Sequence, residues 1–186
     1  KTRDMAEFLE HLVGDDPMNW TDDVVEEKDL APMLYPDPVD LEKTGVRSYY
    51  FSYFHRWDVY ENYKLIKEKI DFRTAPNGRT DGTFTNYDSL DDEIDNLYYY
   101  MQFIKFGFGR ATRDSSRLIQ LGHMSREQAL EQVRQYDDEY PLTYLESCLE
   151  YLGLTKPELD DIIDLHRNPE IWDKSGNTWQ LKFRIR

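Results

Sequence analysis

The sequence has few cysteines and histidines and lacks long hydrophobic runs, and these shortages exclude several classes of protein. Its single cysteine, Cys148, cannot form a disulfide within the chain or supply a cysteine-based zinc cluster. No apolar run reaches the ~18 residues that a membrane helix needs, and no signal peptide is visible. We therefore expect a cytoplasmic protein that does not engage a membrane.

Basic residues are also scarce. The chain carries 23 Lys and Arg against 37 Asp and Glu, a formal net charge of -14. A protein that binds nucleic acid needs a basic surface to neutralise phosphates. We therefore expect no nucleic acid partner, which leaves small molecules and other proteins.

The remaining composition is that of a soluble globular protein. The 186 residues suffice for a domain with a real core, and 15% of them are aromatic. The chain opens on KTRDMAEF rather than on methionine, so we expect a fragment, a processed chain or a trimmed one.

Helical periodicity dominates the chain. It predicts short helical pieces between residues 15 and 43, and a turn-rich loop from 71 to 86. Capping signals at Asp58, Ser89, Ser125 and Thr155 mark helix starts. The predicted helices cover 4–13, 58–70, 89–106, 111–121, a segment after Ser125, 141–153 and 155–166.

Two segments have strand character. VRSYYFSYF, residues 46–54, is the strongest strand prediction, and the C-terminal TWQLKFRIR alternates apolar and polar residues. A lone strand cannot satisfy its backbone groups, so VRSYYFSYF must pair with the C-terminal segment or with strands outside this chain. The predicted fold class is mostly α with one or two strands.

A basic cluster interrupts the acidic chain at KFGFGRATRDSSR, residues 105–117. It holds Lys105, Arg110, Arg113 and Arg117 but one acid, Asp114. Arginines on one helix face after a glycine-rich turn are typical of a phosphate or pyrophosphate site. The alternative is an Asp114–Arg110 pair on a solvated helix face.

Two further segments carry candidate ligand contacts. Trp57, Asp58 and Asn62 follow the predicted strand at its carboxyl end, where open α/β sheets bind ligands. The alternative is that Asp58 caps a helix and Trp57 fills the core. Thr83, Thr85 and Asn86 precede a helix and could bind a polar or anionic group.

The acids Asp91, Asp92 and Asp95 could ligate a metal. A solvated first helical turn is the favoured interpretation, so we expect no metal site. No Ser-His-acid triad, GxGxxG or Walker pattern is present, and the residues alone indicate a soluble acidic domain with a candidate anion site.

A family resemblance joins these segments. MLYPDP, the Trp57-Asp58 pair, GTFTNYDSLDDEIDNLYYYMQFIKFGFGRATRDSS and GHMSREQAL occur in this order. Together they resemble the N-acetyl sugar amidotransferases of bacterial surface-polysaccharide biosynthesis, in the PP-loop ATP pyrophosphatase superfamily. The resemblance covers roughly residues 32–175, and its most specific block is 83–114.

The resemblance implies a reaction. ATP, with Mg²⁺, would activate the amide oxygen of an N-acetyl sugar, nucleotide-linked or free, and release pyrophosphate. Ammonia from a glutaminase subunit would then displace AMP and leave an acetamidino group. The expected partners are thus the sugar and the glutaminase. Whether the chain also forms a homo-oligomer is left open.

The family's PP-loop motif and its N-terminal cysteines are absent from this chain. The resemblance is therefore to the C-terminal part of these enzymes, and we expect this chain alone to bind ATP poorly. It implies that residues 1–75 end an α/β nucleotide-binding-type domain and that 76–186 form a helical C-terminal subdomain.

The resemblance and the local chemistry together assign the site residues. We expect Lys105, Arg110 and Arg113 to bind phosphates, with Asp114 orienting an arginine. The pocket walls would be Trp57, Asp58 and Asn62 on one side and Thr83 and Asn86 on the other. From the sequence, Arg110→Ala is expected to reduce activity more than stability.

Two alternatives remain. A non-catalytic helical module could bind a protein partner through Tyr98-Tyr99-Tyr100 and the acidic segment 15–29. A PP-loop enzyme that modifies tRNA is disfavoured by the net charge of -14.

Overall fold

The computed structural model describes residues 17–34, 36–47, 49–176 and 178–183. These residues form eight α-helices and one antiparallel strand pair, which confirms the mostly helical prediction. The helices are α1 Glu27–Leu30, α2 Pro38–Thr44, α3 Val59–Ile70, α4 Asp95–Phe106, α5 Arg110–Leu121, α6 Arg126–Tyr136, α7 Leu145–Leu152 and α8 Lys156–Leu165. The strands are β1 Trp172–Ser175 and β2 Thr178–Leu181.

The chain divides into two compact units, Lys1–Trp57 and Asp58–Arg186. In the first unit the described residues form α1, α2 and three short 3₁₀ turns, Pro17–Trp20, Ala31–Met33 and Phe51–Tyr53. This matches the short helical pieces predicted there. The predicted helix over 4–13 lies outside the described residues.

The strand predicted over residues 46–54 is wrong. Its centre is the 3₁₀ turn Phe51–Tyr53, in which the N–H groups of Phe54 and His55 bond to the carbonyl of Phe51 at 3.0 and 3.1 Å. The Phe51 and His55 rings also stack at 4.6 Å. These local bonds satisfy backbone groups that an unpartnered strand would leave open, so the aromatic run does not enter a sheet among the described residues.

Side-chain caps set three helix starts where the sequence predicts them. Asp58 accepts hydrogen bonds from the N–H groups of Tyr60 and Glu61 at the start of α3. Reciprocal capping boxes open α6 at Ser125 and α8 at Thr155. Such caps satisfy N–H groups that the first helical turn leaves without an intrahelical partner.

Two helices begin later than predicted. Helix α4 begins at Asp95 rather than near Ser89, because Ser89 adopts a left-handed conformation with φ of 52°. The Asp92 carboxylate then accepts the N–H of Ile94 in a local turn before the helix. Helix α7 begins at Leu145 rather than at Pro141.

The core belongs to the second unit. Its buried members lie on α4, α7, α8 and β1, and they are Leu97, Phe103, Ile104, Cys148, Leu159, Ile163 and Trp172. The Trp172 indole meets Phe103 edge-on at 5.3 Å and donates its N–H to the carbonyl of Ile104 at 2.6 Å. A buried indole with its N–H satisfied anchors the strand pair to α4.

Strand β2 confirms the strand character of the C-terminal segment. It pairs with β1 in antiparallel register from Trp172–Leu181 to Ser175–Thr178. Beside it, Gly107 ends α4 with φ of 76°, and a Cβ there would lie 2.8 Å from Ile171 and 3.3 Å from Leu181. Glycine is therefore required where the hairpin crosses the end of α4.

No helix among the described residues is long and apolar enough to cross a membrane.

Candidate functional site

Asp114 is the centre of the residues predicted to bind an anion. One of its carboxylate oxygens accepts the hydroxyls of Thr83 and Thr85, at 2.7 and 2.9 Å. The other accepts the Nε–H of Arg113 at 3.0 Å. The structure thus brings Thr83, Arg113 and Asp114 together through these hydrogen bonds.

Arg113 is held by three partners at once. Beside its bond to Asp114, it donates to the Tyr99 hydroxyl at 2.5 Å and to the Asp88 carboxylate at 2.6 Å. Burial would lower the pKa of Arg113, but the charges of Asp114 and Asp88 outweigh burial and raise it. Arg117 reaches the same Asp88 oxygen at 3.4 Å from a more exposed position.

Arg110 is buried, with 1% of its surface exposed. Its guanidinium lies over the Tyr99 ring at 4.7 Å, donates to the backbone carbonyl of Asp88 and reaches Asn96 Oδ1 at 3.4 Å. Burial lowers the pKa of this guanidinium, against the charge of Asp114. Asp114 is hydrogen-bonded to its sequence neighbour Arg113 rather than to Arg110. The Asp114–Arg110 pair of the alternative hypothesis therefore does not form as a hydrogen bond.

The N-terminus of α5 already holds an anion, the Asp137 carboxylate. Asp137 accepts the N–H groups of Gly109 and Thr112, both at 2.8 Å, and the Thr112 hydroxyl at 2.7 Å. A Cβ on Gly109 would lie 2.6 Å from the Asp137 carbonyl oxygen. Gly109, which we expected to let a ligand approach the backbone closely, thus gives this space to Asp137 of the protein itself. Burial raises the pKa of Asp137, against these hydrogen bonds.

Lys105 lies apart from these arginines. It sits in the last turn of α4 and lines a separate apolar depression with Tyr98, Phe106, Phe108 and His166. The predicted basic cluster therefore divides into two parts. Arg110, Arg113 and the more exposed Arg117 form an arginine network around Asp88, and Lys105 is a separate surface lysine.

Asp58 serves as a cap and as the partner of a histidine. Its two carboxylate oxygens lie 3.0 and 2.9 Å from His123 Nε2, and the Tyr60 ring meets the imidazole edge-on. Burial would raise the pKa of Asp58, but the N–H of Glu61 and the imidazole outweigh it and hold the pKa below its usual value. Asp58 thus ties α3 to the turn between α5 and α6.

Among the described residues, no hydrogen bond joins the side chains of Asn62 or Asn86 to the arginines. Trp57 is 58% exposed and ends the first unit. Asn62 is half-buried on α3, and its N–H bonds to the Asp58 carbonyl. Asn86 accepts the N–H of Ala75 through its backbone carbonyl at 2.8 Å, which closes the loop before α4.

A groove of about 900 Å³ lies in the second unit. We call it the α8 groove. Helices α4, α6 and α8 and the hairpin surround it, and aromatic rings alternate with charged groups along its walls. Its lining includes Tyr140, Trp179, Arg134, Lys156, Asp160 and Asp164.

Two carboxylates on α8 organise the polar groups of the α8 groove. Asp160 accepts the Tyr140 hydroxyl at 2.8 Å and the Lys156 ammonium at 2.6 Å. Asp164 accepts the Trp179 indole N–H at 2.9 Å and the Nε–H of Arg167 at 3.0 Å. Both aromatic side chains are thereby fixed in position, which preorganises the groove.

The ionisation of the groove follows from these contacts. Burial and the Asp160 carboxylate raise the pKa of Tyr140, so its hydroxyl stays protonated as a donor. Burial would raise the pKa of Asp164, but the Trp179 and Arg167 hydrogen bonds outweigh it and lower that pKa. At neutral pH the groove therefore offers carboxylates, cations and aromatic faces together.

A sequence model of a known family matches residues 81–186, the part of the chain that contains the arginine network and the α8 groove. It describes the C-terminal domain of LPS biosynthesis proteins that are WbpG-like. The chain belongs to this family. No curated protein matches it.

Membership in the WbpG-like family places the chain in LPS biosynthesis. This confirms the surface-polysaccharide part of the resemblance. The matched region begins inside the loop before α4 and holds every lining residue of the α8 groove.

Sequence reasoning missed the groove of this WbpG-like domain. A signal was present, because Asp160, Asp164 and Arg167 follow one another at helical spacings of four and three in α8 and just beyond it. The aromatic side chains that they hold come from distant segments, Tyr140 before α7 and Trp179 on β2, and no local pattern joins them.

Proposed function

We propose that this WbpG-like domain is the sugar-binding part of an ATP-dependent N-acetyl sugar amidotransferase in LPS biosynthesis. The observation that supports this proposal is the α8 groove, whose aromatic faces and preorganised carboxylates lie within the region that the family model matches. The substrate would be an N-acetyl sugar, free or nucleotide-linked, and the product its acetamidino derivative.

The composition of the groove supports a sugar ligand. A sugar ring presents apolar C–H faces, which suit Tyr140 and Trp179, and hydroxyls, which suit Asp160 and Asp164. At about 900 Å³ the groove also falls in the range of ~300–1,000 Å³ typical of sites for small molecules.

Cationic groups at the groove support a phosphate-bearing ligand. Arg134 is exposed on α6 and lines the groove, and no contact to other described residues engages it. Lys156 lines the groove from α8 and is paired with Asp160. We assign Arg134 and Lys156 to the diphosphate of a nucleotide sugar, with the Lys156 ammonium shared between Asp160 and the ligand. The sequence-based assignment of phosphate to Lys105, Arg110 and Arg113 stays a prediction.

The reaction that we propose has two steps, activation of the amide oxygen by ATP and displacement by ammonia. The amide oxygen of the acetamido group attacks the α-phosphorus of ATP, and pyrophosphate leaves. Ammonia, from a glutaminase partner, then adds to the activated carbon and AMP leaves. The role of this domain is to bind and orient the sugar.

ATP and Mg²⁺ belong, in this proposal, to the PP-loop segment of the enzyme. Within the described part of the chain no group of three His, Cys, Asp or Glu side chains could hold a metal ion. No step through a metal ion is assigned to this domain.

A binding experiment tests the groove. UDP-N-acetylglucosamine is titrated into the chain and into Arg134→Ala, and affinity is measured by calorimetry. We expect saturable binding that weakens about tenfold in the variant, because one charge-assisted hydrogen bond to phosphate is lost. Arg126→Ala, which removes the same charge from the other end of α6, should bind as the wild type does. Equal affinity in both variants would contradict the assignment.

An activity experiment tests the reaction. The enzyme that joins this domain to a PP-loop segment is supplied with ATP, ammonium and N-acetyl sugars, and pyrophosphate release is followed together with the mass of the sugar. We expect release that depends on the sugar and a product 1 Da lighter, since NH replaces O. Sugar-independent release without a mass change would sink the proposal.

One observation favours the alternative of a protein-binding module. Tyr98, Phe106 and Phe108 are exposed around the depression that Lys105 lines, so this face of α4 presents large apolar side chains. The glutaminase would be the partner. A chain that binds no phosphate-bearing sugar but is retained by the glutaminase would support this alternative.

A further inference from the structure

Arg167 is a charged residue of the α8 groove to which the proposed function assigns no ligand contact. It follows α8 in the chain and lines the groove, although only 11% of its side chain is exposed. An arginine is rarely buried unless its charge and its N–H groups are paired. The contacts of Arg167 therefore show which of its donors are left for a ligand.

The guanidinium of Arg167 is held in place by four residues. It lies 4.5 Å from the centre of the Trp172 ring and 5.4 Å from that of Trp179. Its Nε–H donates to Asp164 at 3.0 Å. Burial raises the pKa of Tyr100, and the charge of Arg167 and a hydrogen bond from it oppose this rise. All four residues line the α8 groove, so the guanidinium lies at the groove.

Most of the hydrogen-bonding capacity of Arg167 is unused. A guanidinium has five N–H donors and no acceptor. The bonds to Asp164 and Tyr100 use two of them, so three donors on the Nη atoms have no partner among the described residues. The described polar atoms that are both fully buried and unpaired belong to other residues. The open donors of Arg167 are therefore accessible, and a molecule in the groove can reach them.

The charge around Arg167 indicates an uncharged acceptor. Asp164 already pairs with this guanidinium, and the described lining of the groove holds four acids against three basic residues. An anion bound to Arg167 would be repelled by Asp164, whereas a hydroxyl or carbonyl oxygen would not. Arg134 differs, because it is exposed and has no acid partner among the described residues.

Arg167 and Asp164 form a donor and an acceptor side by side. Asp164 also accepts the Trp179 indole N–H at 2.9 Å, so both charged groups are fixed against an aromatic ring. Neighbouring oxygens of a sugar can accept from one group and donate to the other. Because the pair is already ordered, such binding costs little side-chain entropy.

We infer that Arg167 binds the sugar ring of the groove's ligand, with its Nη groups donating to an uncharged hydroxyl or carbonyl oxygen while Asp164 accepts a neighbouring hydroxyl. This inference rests on the proposed function and deepens it. It places the N-acetyl sugar at Arg167 and leaves the diphosphate to Arg134 and Lys156.

The Nε–H signal of Arg167 tests this contact directly by NMR of the ¹⁵N-labelled chain, and comparison with Arg167→Lys identifies the signal. N-acetylglucosamine, N-acetylgalactosamine, N-acetylmannosamine and inorganic phosphate are titrated in turn. At least one sugar should shift the signal saturably at millimolar concentration, and phosphate should bind at least about tenfold more weakly than that sugar. No shift with any of the three sugars, or tighter binding of phosphate, would overturn the inference.

Arg167→Lys separates sugar recognition from support of the fold. Lysine keeps the charge but loses the planar fork. We expect the best sugar, followed at the Trp179 indole N–H, to bind about tenfold more weakly, while calorimetry shows unchanged affinity for UDP. Sugar affinity equal to that of the wild type, or an equal loss for sugar and UDP, would contradict the inference.

Lys174→Ala is the matched control. Lys174 also contacts the Trp179 ring, at 4.8 Å, and lies 4.0 Å from Asp164, but it does not line the groove. This variant should bind the sugar as the wild type does. A loss as large as that in Arg167→Lys would show that any cation beside Trp179 suffices, which contradicts a specific role for Arg167.

Calorimetry with UDP-N-acetylglucosamine reports separately on the proposed function. Binding of this nucleotide sugar without a shift of the Arg167 signal would overturn the inference alone. If no N-acetyl sugar binds, free or nucleotide-linked, the proposed function fails and the inference fails with it.

Discussion

At the scale of single residues, the charged groups of the basic cluster are mostly satisfied by the protein itself. Asp88 and Asp114 hold Arg113, and the Asp137 carboxylate occupies the helix N-terminus that a phosphate would use. Internal carboxylates therefore stabilise the fold at the positions that the sequence predicts for an external anion. A ligand at this point would compete with these carboxylates.

Arg110→Ala should destabilise the domain. The side chain is buried, and its loss leaves the Asn96 oxygen and the Asp88 carbonyl without a donor, at a cost of about 2–4 kcal/mol in the free energy of unfolding. Urea unfolding of the wild type and the variant measures this loss of stability. This revises the expectation from the sequence that activity would suffer more than stability.

Arg117→Ala is the matched control for Arg110→Ala. Arg117 is about half exposed and contacts Asp88 at 3.4 Å, so its removal should change the free energy of unfolding by less than ~0.5 kcal/mol. Equal stability of the two variants would show that the burial of Arg110 contributes nothing.

Asp58 should make the stability of the domain depend on acid. Its folded pKa lies below the usual 3.8, so its contribution is complete above that value and is lost as pH falls through the folded pKa. The free energy of unfolding, measured with urea between about pH 5 and pH 2, should therefore fall more steeply with decreasing pH for the wild type than for Asp58→Asn. Asparagine keeps an N-cap oxygen but does not titrate. Parallel curves would contradict this assignment.

At the scale of elements, the loop between α3 and α4 is held by side chains from elsewhere. Backbone bonds join Ala75 to Asn86 and Thr80 to Thr85, and Glu139 binds both Arg79 and Gly82. The loop has little regular structure, so these bonds fix its shape.

Glu139→Gln should loosen this loop. Burial would raise the pKa of Glu139, but Arg79 and the Gly82 N–H outweigh it and lower that pKa, so the carboxylate is the favoured form. Because the Arg79–Glu139 pair is partly exposed, we expect a loss of about 1 kcal/mol in the free energy of unfolding. Faster amide exchange at Gly82 is the local readout. Asp138→Asn, the neighbouring acid without such a partner, should leave that exchange unchanged.

At the scale of the whole molecule, the second unit contains the buried core. All seven members of the hydrophobic cluster lie between Leu97 and Trp172, and none of the described residues before Asp58 is buried. The second unit thus has its own core, as an independently folding domain requires.

Residues 58–186 expressed alone should therefore fold. We expect cooperative thermal unfolding and a near-UV circular dichroism signal from the packed Trp172. A chain that shows helical far-UV signal without the near-UV signal would contradict this prediction, because it would lack fixed packing.

Local signals determined much of this protein from the sequence. The caps at Asp58, Ser125 and Thr155 and the glycine stops set helix positions, because each acts over a few residues. The gathering of Thr83, Arg113 and Asp114 was also predictable, since the resemblance joined their segments. The strand over 46–54 was predicted wrongly, because strand character in a sequence does not supply the partner that a strand needs.

Only the tertiary structure decided how these elements meet. Arg110 and Lys105 are five residues apart in the sequence, yet one is buried and the other is on the surface, because Gly107 ends one helix between them. The α8 groove likewise joins side chains from distant segments. Periodicity predicts which face of a helix is apolar, whereas packing determines which side chains share a cavity and which charges satisfy one another.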